Sequence, residues 1–223
     1  MTDLQTAGYR EPKQDRSART LHRIVEAAER LLDGREFSEV SVHDISAEAG
    51  TSVSSFYARF PDKNALLHAV FERFSAEMRG RVEAFHAEFQ GKEATLEQLV
   101  AAVIETYMDV WQRKRGLIQT LTTAERGDAI LFERRRALDT EVALRFRDEC
   151  LRLKPELAER GFGRAFEVAL PSLAGAIRSA VDRPDLFGGR TLHSREALVA
   201  ELTAIGLRYL DLEAPRTDVA DEG

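Results

Sequence analysis

Apolar residues recur along this chain at helical spacing and seldom alternate strictly with polar ones, so the pattern predicts helices from end to end. Leu21, Ile24, Ala28, Leu31 and Leu32 fall on one face of a first helix over roughly 17–32, which Asp33-Gly34 ends. Val42, Ile45 and Ala49 form a shorter stripe behind Ser41, a good N-cap residue. Gly50 stands where that second helix must stop and turn, a position suited to left-handed dihedrals. Ser52 or Thr51 then caps a short third helix over about 53–59, with Val53, Phe56 and Phe60 inward and Ser54, Ser55, Tyr57 and Arg59 outward. Pro61 suits the first turn of a long fourth helix, whose inner stripe runs Leu66, Leu67, Val70, Phe74, Met78, Val82 and Phe85 before Gly91 breaks it. Further helices are expected over about 96–113, 117–125, 128–153 (closed by Pro155), 166–181 (interrupted at Pro171) and 194–212. Residues 182–191 are turn-rich, 1–15 read as a flexible arm, and 213–223 as a flexible acidic tail. The expected fold class is all-α, with about nine helices and no internal repeat.

The segment 41–63 carries the most functional information. A helix, a tight glycine turn and a second helix rich in small polar residues fit a helix-turn-helix, which sets its second helix in the DNA major groove. Its residues Ser41-Val42, Asp44-Ile45-Ser46, Gly50-Thr51-Ser52 and Tyr57-Ala58-Arg59-Phe60-Pro61-Asp62-Lys63 agree in type and spacing with one family's motif, and the match extends back through 20–37. The segment resembles the DNA-binding domain of the TetR family of bacterial transcriptional regulators. Thr51, Ser46 and Arg59 depart from the usual valine, alanine and histidine or tyrosine of that motif; Arg59 adds a positive charge. The resemblance implies a helix-turn-helix domain over 16–62 within a three-helix N-terminal part, and a helical ligand-binding and dimerisation domain over 63–212.

Composition narrows the class further. With 43% hydrophobic and 31% charged residues, the 223-residue chain reads as an ordinary soluble globular protein. No run approaches the roughly 20 apolar residues needed to span a bilayer, and the polar N-terminus is not a secretory signal. One cysteine, Cys150, excludes an intrachain disulfide and fits a reducing cytoplasm. The net charge of −6 is not that of a protein that coats nucleic acid. Positive charge gathers only locally, at Arg10, Lys13, Arg16, Arg19 and Arg23, which favours a site-specific binder.

The candidate DNA contacts are Ser41, Thr51, Ser52, Ser54, Ser55, Tyr57, Arg59 and Lys63. Arg59 is the strongest candidate for a guanine, and Thr51, Ser54 and Ser55 are candidates for base edges. Ser41 and Ser52 serve as caps or phosphate ligands, and Lys63 adds charge near a helix N-terminus. By resemblance Tyr57 is the best phosphate contact of the set. Arg16 and Arg19 either touch phosphates or a minor groove, or form a basic arm that touches nothing specific.

In the C-terminal region the aromatic residues either line a cavity for an apolar or aromatic small molecule or form ordinary core. The resemblance puts the pocket along the fifth helix, hence Tyr107, Met108 and Trp111; Phe89 is a further aromatic candidate for its lining and His86 a candidate polar anchor. Leu198, Leu202, Ile205 and Tyr209 on the last helix, and Phe166, Leu170, Leu173 and Ile177 on the one before, form seams at spacings of three and four. Such seams pack within the chain or across a dimer; the resemblance implies a four-helix homodimer interface.

No nucleophile elbow, phosphate loop or Cys-x-x-Cys is present, and His22, His43, His68, His86 and His193 show no ligand-like spacing. No enzyme activity, cofactor or metal is therefore expected. The reading is a cytoplasmic, homodimeric transcriptional regulator, a repressor released from a palindromic operator by a small-molecule effector. The alternative is a helical small-molecule-binding protein with a vestigial helix-turn-helix.

Overall fold

The computed structural model describes residues 15–90, 93–160, 162–183 and 194–211. Every regular element among them is helical: α1 (Asp15–Leu32), a 3-10 turn (Phe37–Glu39), α2 (Val42–Glu48), α3 (Val53–Tyr57) and α4 (Lys63–Phe89). There follow α5 (Leu96–Ala124), α6 (Ala129–Leu153), a second 3-10 segment (Pro155–Arg160), α7 (Phe162–Asp182) and α8 (Arg195–Asp211). The fold is all-α, with eight α-helices among the described residues. The arm (all but its last residue), the tail and most of the turn-rich 182–191 lie outside the described residues, as does Gly91.

The chain forms two compact units, one of Met1–Ala87 with Val110–Val142 and one of Glu88–Asp109 with Ala143–Gly223. In the first, α1 packs on α2 and α2 on α3. Ile24, Ala28, Leu32, Val40, Ile45, Phe56, Phe60, Leu66 and Val70 are buried, so the stripes read from the sequence do face inward. Farther along α4, Met78, Val82 and Phe85 are only half-buried. In the second unit α7 packs on α8, around Val100, Ile104, Met108, Ile177, Val199 and Leu202. The Cys150 thiol is fully buried, and burial pushes it up to about 12. Such a thiol is inert.

Three expected boundaries change. Pro61 precedes α4 instead of sitting in its first turn, because Asp62 caps the helix by accepting the Ala65 N–H at 2.7 Å. The helices expected over 96–113 and 117–125 are one, α5, with a kink at Lys114 (φ −120°, ψ 19°). Just past the kink, Gly116 lies directly on the end of α1. Pro171 does not interrupt α7; one proline removes a single helical hydrogen bond, and packing on α8 holds the remainder. Among the described residues, no helix is long and apolar enough to cross a membrane, and no group of three His, Cys, Asp or Glu side chains is placed to hold a metal ion.

Candidate nucleic-acid interface

The site is built from short-range caps. The Ser41 hydroxyl accepts the Asp44 N–H at 3.0 Å while the Asp44 carboxylate accepts the Ser41 N–H at 3.0 Å, a reciprocal capping box that starts α2. The Ser41 backbone N–H, then the Ser41 hydroxyl and Arg35, hold the Asp44 carboxyl below its usual value. Gly50 takes φ +58°, the left-handed conformation that the turn requires. Of the two candidate caps for α3, Ser52 serves: its hydroxyl accepts the Ser55 N–H at 3.1 Å. It also shares hydrogen bonds with the Ser54 and Ser55 hydroxyls, at 2.9 and 2.8 Å.

The five-residue α3 is anchored by Phe56, fully buried and 5.3 Å from the Phe60 ring, centroid to centroid. Tyr57, its ring edge-on to that of Phe56, is 53% exposed. Ser41, Ser52 and Ser54 are exposed, while Thr51 and Ser55 are half-buried. Val53, expected inward, is 38% exposed, because so short a helix has one inner side and Phe56 takes it.

Two further expectations are corrected. Arg59 is not left outward: its Nη1 donates to the Ser55 carbonyl at 2.7 Å and its Nη2 to the Ser17 hydroxyl at 3.3 Å, folding it against α1. Nor does Lys63 stand free at the start of α4. Its ammonium donates to the carbonyls of Phe37 at 2.6 Å and Val40 at 2.9 Å, and lies 4.2 Å from the Phe37 ring centroid. Partial burial pushes its pKa down. Arg23, read from the sequence only as part of the local positive charge, donates from Nε to the Ala49 carbonyl at 2.9 Å and from Nη2 to the Ala49 and Gly50 carbonyls. Backbone acceptors carry no residue-type signal, so nothing in the sequence marks these partners.

Ser46, where the motif has alanine, is 2% exposed, and its hydroxyl has no hydrogen-bond partner among the described residues. A buried unmatched hydroxyl costs stability, so Ser46→Ala is expected to stabilise the fold by about 1 kcal/mol. Calorimetry checks this: a melting temperature higher by roughly 2–4 °C agrees, and a lower one refutes it.

In the C-terminal region, Met108 belongs to the buried core of the second unit with Tyr107 packed against it, and Phe89 is buried in the same unit. His86 and Trp111 belong to the first unit, so the five expected ligand residues do not gather within either. Of the eight expected seam residues, Phe166, Ile177 and Leu202 are buried within the chain. Phe166 packs between Phe146 and Phe162, at 5.4 and 5.5 Å, while Ile177 and Leu202 are buried and Leu173 and Leu198 pack around them. Leu170 is half-buried. Ile205 at 56% and Tyr209 at 37% are the exposed members, joined by Val168 at 49%.

The family models agree with this arrangement in both parts of the chain. One, described as bacterial regulatory proteins of the tetR family, matches residues 24–70, and another, the tetracycline repressor-like C-terminal domain, matches 95–210. The chain belongs to the TetR family. That family is one of bacterial regulatory proteins. A curated relative, the HTH-type transcriptional regulator EthR of Mycolicibacterium smegmatis, is 41% identical over 49 residues, 22% of this chain and 23% of that protein. This chain thus aligns with about a quarter of that relative's length. Among solved structures, a candidate TetR-family regulator from Mesorhizobium loti MAFF303099 has a TM-score of 0.64 at 18% identity, covering 88% of this chain and 98% of its own. SmeT in complex with triclosan has a TM-score of 0.58 at 21% identity, covering 83% and 90%. These two likenesses establish the fold.

Proposed function

We propose that this TetR-family chain is a homodimeric repressor that holds a palindromic operator and leaves it when a small molecule binds. The helix-turn-helix carries the reading. Phe56 anchors the inner side of α3, and Ser54 and Tyr57 stand exposed on that same short helix, behind the turn at Gly50. One head of this size offers few groups to base edges. Two heads a helical turn of DNA apart read a palindrome and add their binding energies. Exposed Val168 on α7 and Ile205 and Tyr209 on α8 supply apolar surface for a second subunit, and removing it from water favours pairing.

In this reading residues 16–62 read DNA and 63–212 bind the effector and the partner subunit, in the cytoplasm. The effector is apolar or aromatic, as triclosan is in the SmeT complex, and the aromatic and thioether side chains of Phe89, Tyr107 and Met108 suit it. Its binding shifts the population toward dimers whose heads no longer match successive major grooves. Selecting bound duplexes from a random library tests the proposal. A palindrome with half-sites about 10 base pairs apart, bound by two chains, is expected. Recovered duplexes without a consensus would contradict it.

A further inference from the structure

The cations of the helix-turn-helix head face its own backbone more than they face outward. Six Lys and Arg side chains are described between Ser17 and Lys63, and five of them bond within the head. Arg30 pairs with Glu48 at 2.7 Å, and Arg35 with Asp44 at 3.2 Å. The other three bind main-chain carbonyls at the joints between elements: Arg23 at the turn between α2 and α3, Arg59 at the end of α3, and Lys63 at the 3-10 turn before α2. Arg19, the sixth, is exposed.

Lys63 is the sharpest case. An ammonium has three N–H donors. Two are taken by the Phe37 and Val40 carbonyls, and the Phe37 ring covers a third side. Phe37 opens the short 3-10 turn and Val40 closes it, so the ammonium bridges the two ends of that turn. Val40, one residue before the cap of α2, is 1% exposed. A side chain at the first residue of α4 thus fixes the point from which α2, the turn and α3 depart.

We propose that Lys63 is a positioning residue, which ties the start of α4 to the segment before α2 and so sets where α2 and α3 stand on DNA, instead of neutralising a phosphate. This rests on the operator-binding reading, which wild-type binding tests separately. The two roles differ in what salt does. A lysine on a phosphate contributes about 0.9 to the slope of log K against log salt, and its loss weakens all DNA about equally. A clamp contributes nothing to the slope, and its loss blurs discrimination.

The experiment compares wild type, Lys63→Met and Lys63→Arg at a temperature where each is folded. Binding to the selected operator and to a scrambled duplex is measured across a salt series. Lys63→Met is expected to keep the wild-type slope while its operator-to-scrambled ratio falls by about tenfold, and Lys63→Arg, which keeps a cationic N–H donor group at this position, to restore most of the ratio. Without DNA, hydrogen exchange at the amides of 40–45 is expected to quicken in Lys63→Met and not in Lys63→Arg. A slope reduced by about 0.9 per subunit with an unchanged ratio, or unchanged exchange, would overturn the proposal. Should Lys63→Met not fold, the arginine variant still decides: a lost ratio or quickened exchange there refutes the clamp, and retained values uphold it.

Discussion

Gly116→Ala is expected to cost the fold at least about 3 kcal/mol, the upper range for a substitution that forces atoms into a packed site. A Cβ at Gly116 would stand 1.9 Å from the Leu32 carbonyl oxygen, 2.9 Å from its carbon and 3.1 Å from Asp33 Cα. All three are backbone atoms, so no rotamer change relieves them; the end of α1 or the kinked stretch of α5 has to move. Movement there strains a set of ion pairs. Arg73 lies 3.0 Å from Glu26 and 3.4 Å from Glu29, and Lys114 lies 3.4 Å from Glu29 and 3.1 Å from Glu77. Calorimetry should show the melting temperature falling by roughly 6–12 °C. A fall of less than about 2 °C would mean that α1 and α5 are not this close.

Phe56→Ala is expected to cost about 3–5 kcal/mol, as for a fully buried aromatic side chain cut to a methyl. The larger consequence is local. A helix of five residues has no stability of its own, and Phe56 is its one buried residue. Without it α3 loses its seat beside Phe60, and Tyr57 and Ser54 lose their fixed positions. Sequence-specific DNA binding should disappear while residual binding to any duplex persists. Retention of operator discrimination by Phe56→Ala would show that α3 is not the reading element.

How much of this was legible depends on the kind of atom involved. Side chains that cap their own helix could be read, because donor and acceptor lie three residues apart: Ser41 with Asp44, and Ser52 with Ser55. The left-handed turn was legible for the same reason, since glycine is the residue that tolerates it. Arg59 and Lys63 were legible as charges but not as contacts. Apart from the Ser17 hydroxyl, their acceptors are main-chain oxygens at residues 17, 37, 40 and 55, and every residue has such an oxygen. The seam on α7 and α8 was legible as apolar, yet periodicity does not name the partner. Ile177 and Leu202 pack inside the chain, while Ile205 remains exposed. At Gly116 the only signal was the break in apolar spacing between Arg113 and Leu117; that α1 lies against it is a long-range fact.

The most direct measurement is an anisotropy titration of the full chain on labelled DNA from its own upstream intergenic region, beside a scrambled duplex at one fixed salt concentration. Nanomolar binding to the upstream duplex is expected, at least about a thousandfold tighter than to the scrambled one, and lost in Tyr57→Ala. Equal, weak affinity for both, repeated across duplexes covering the genome, would contradict sequence-specific operator recognition.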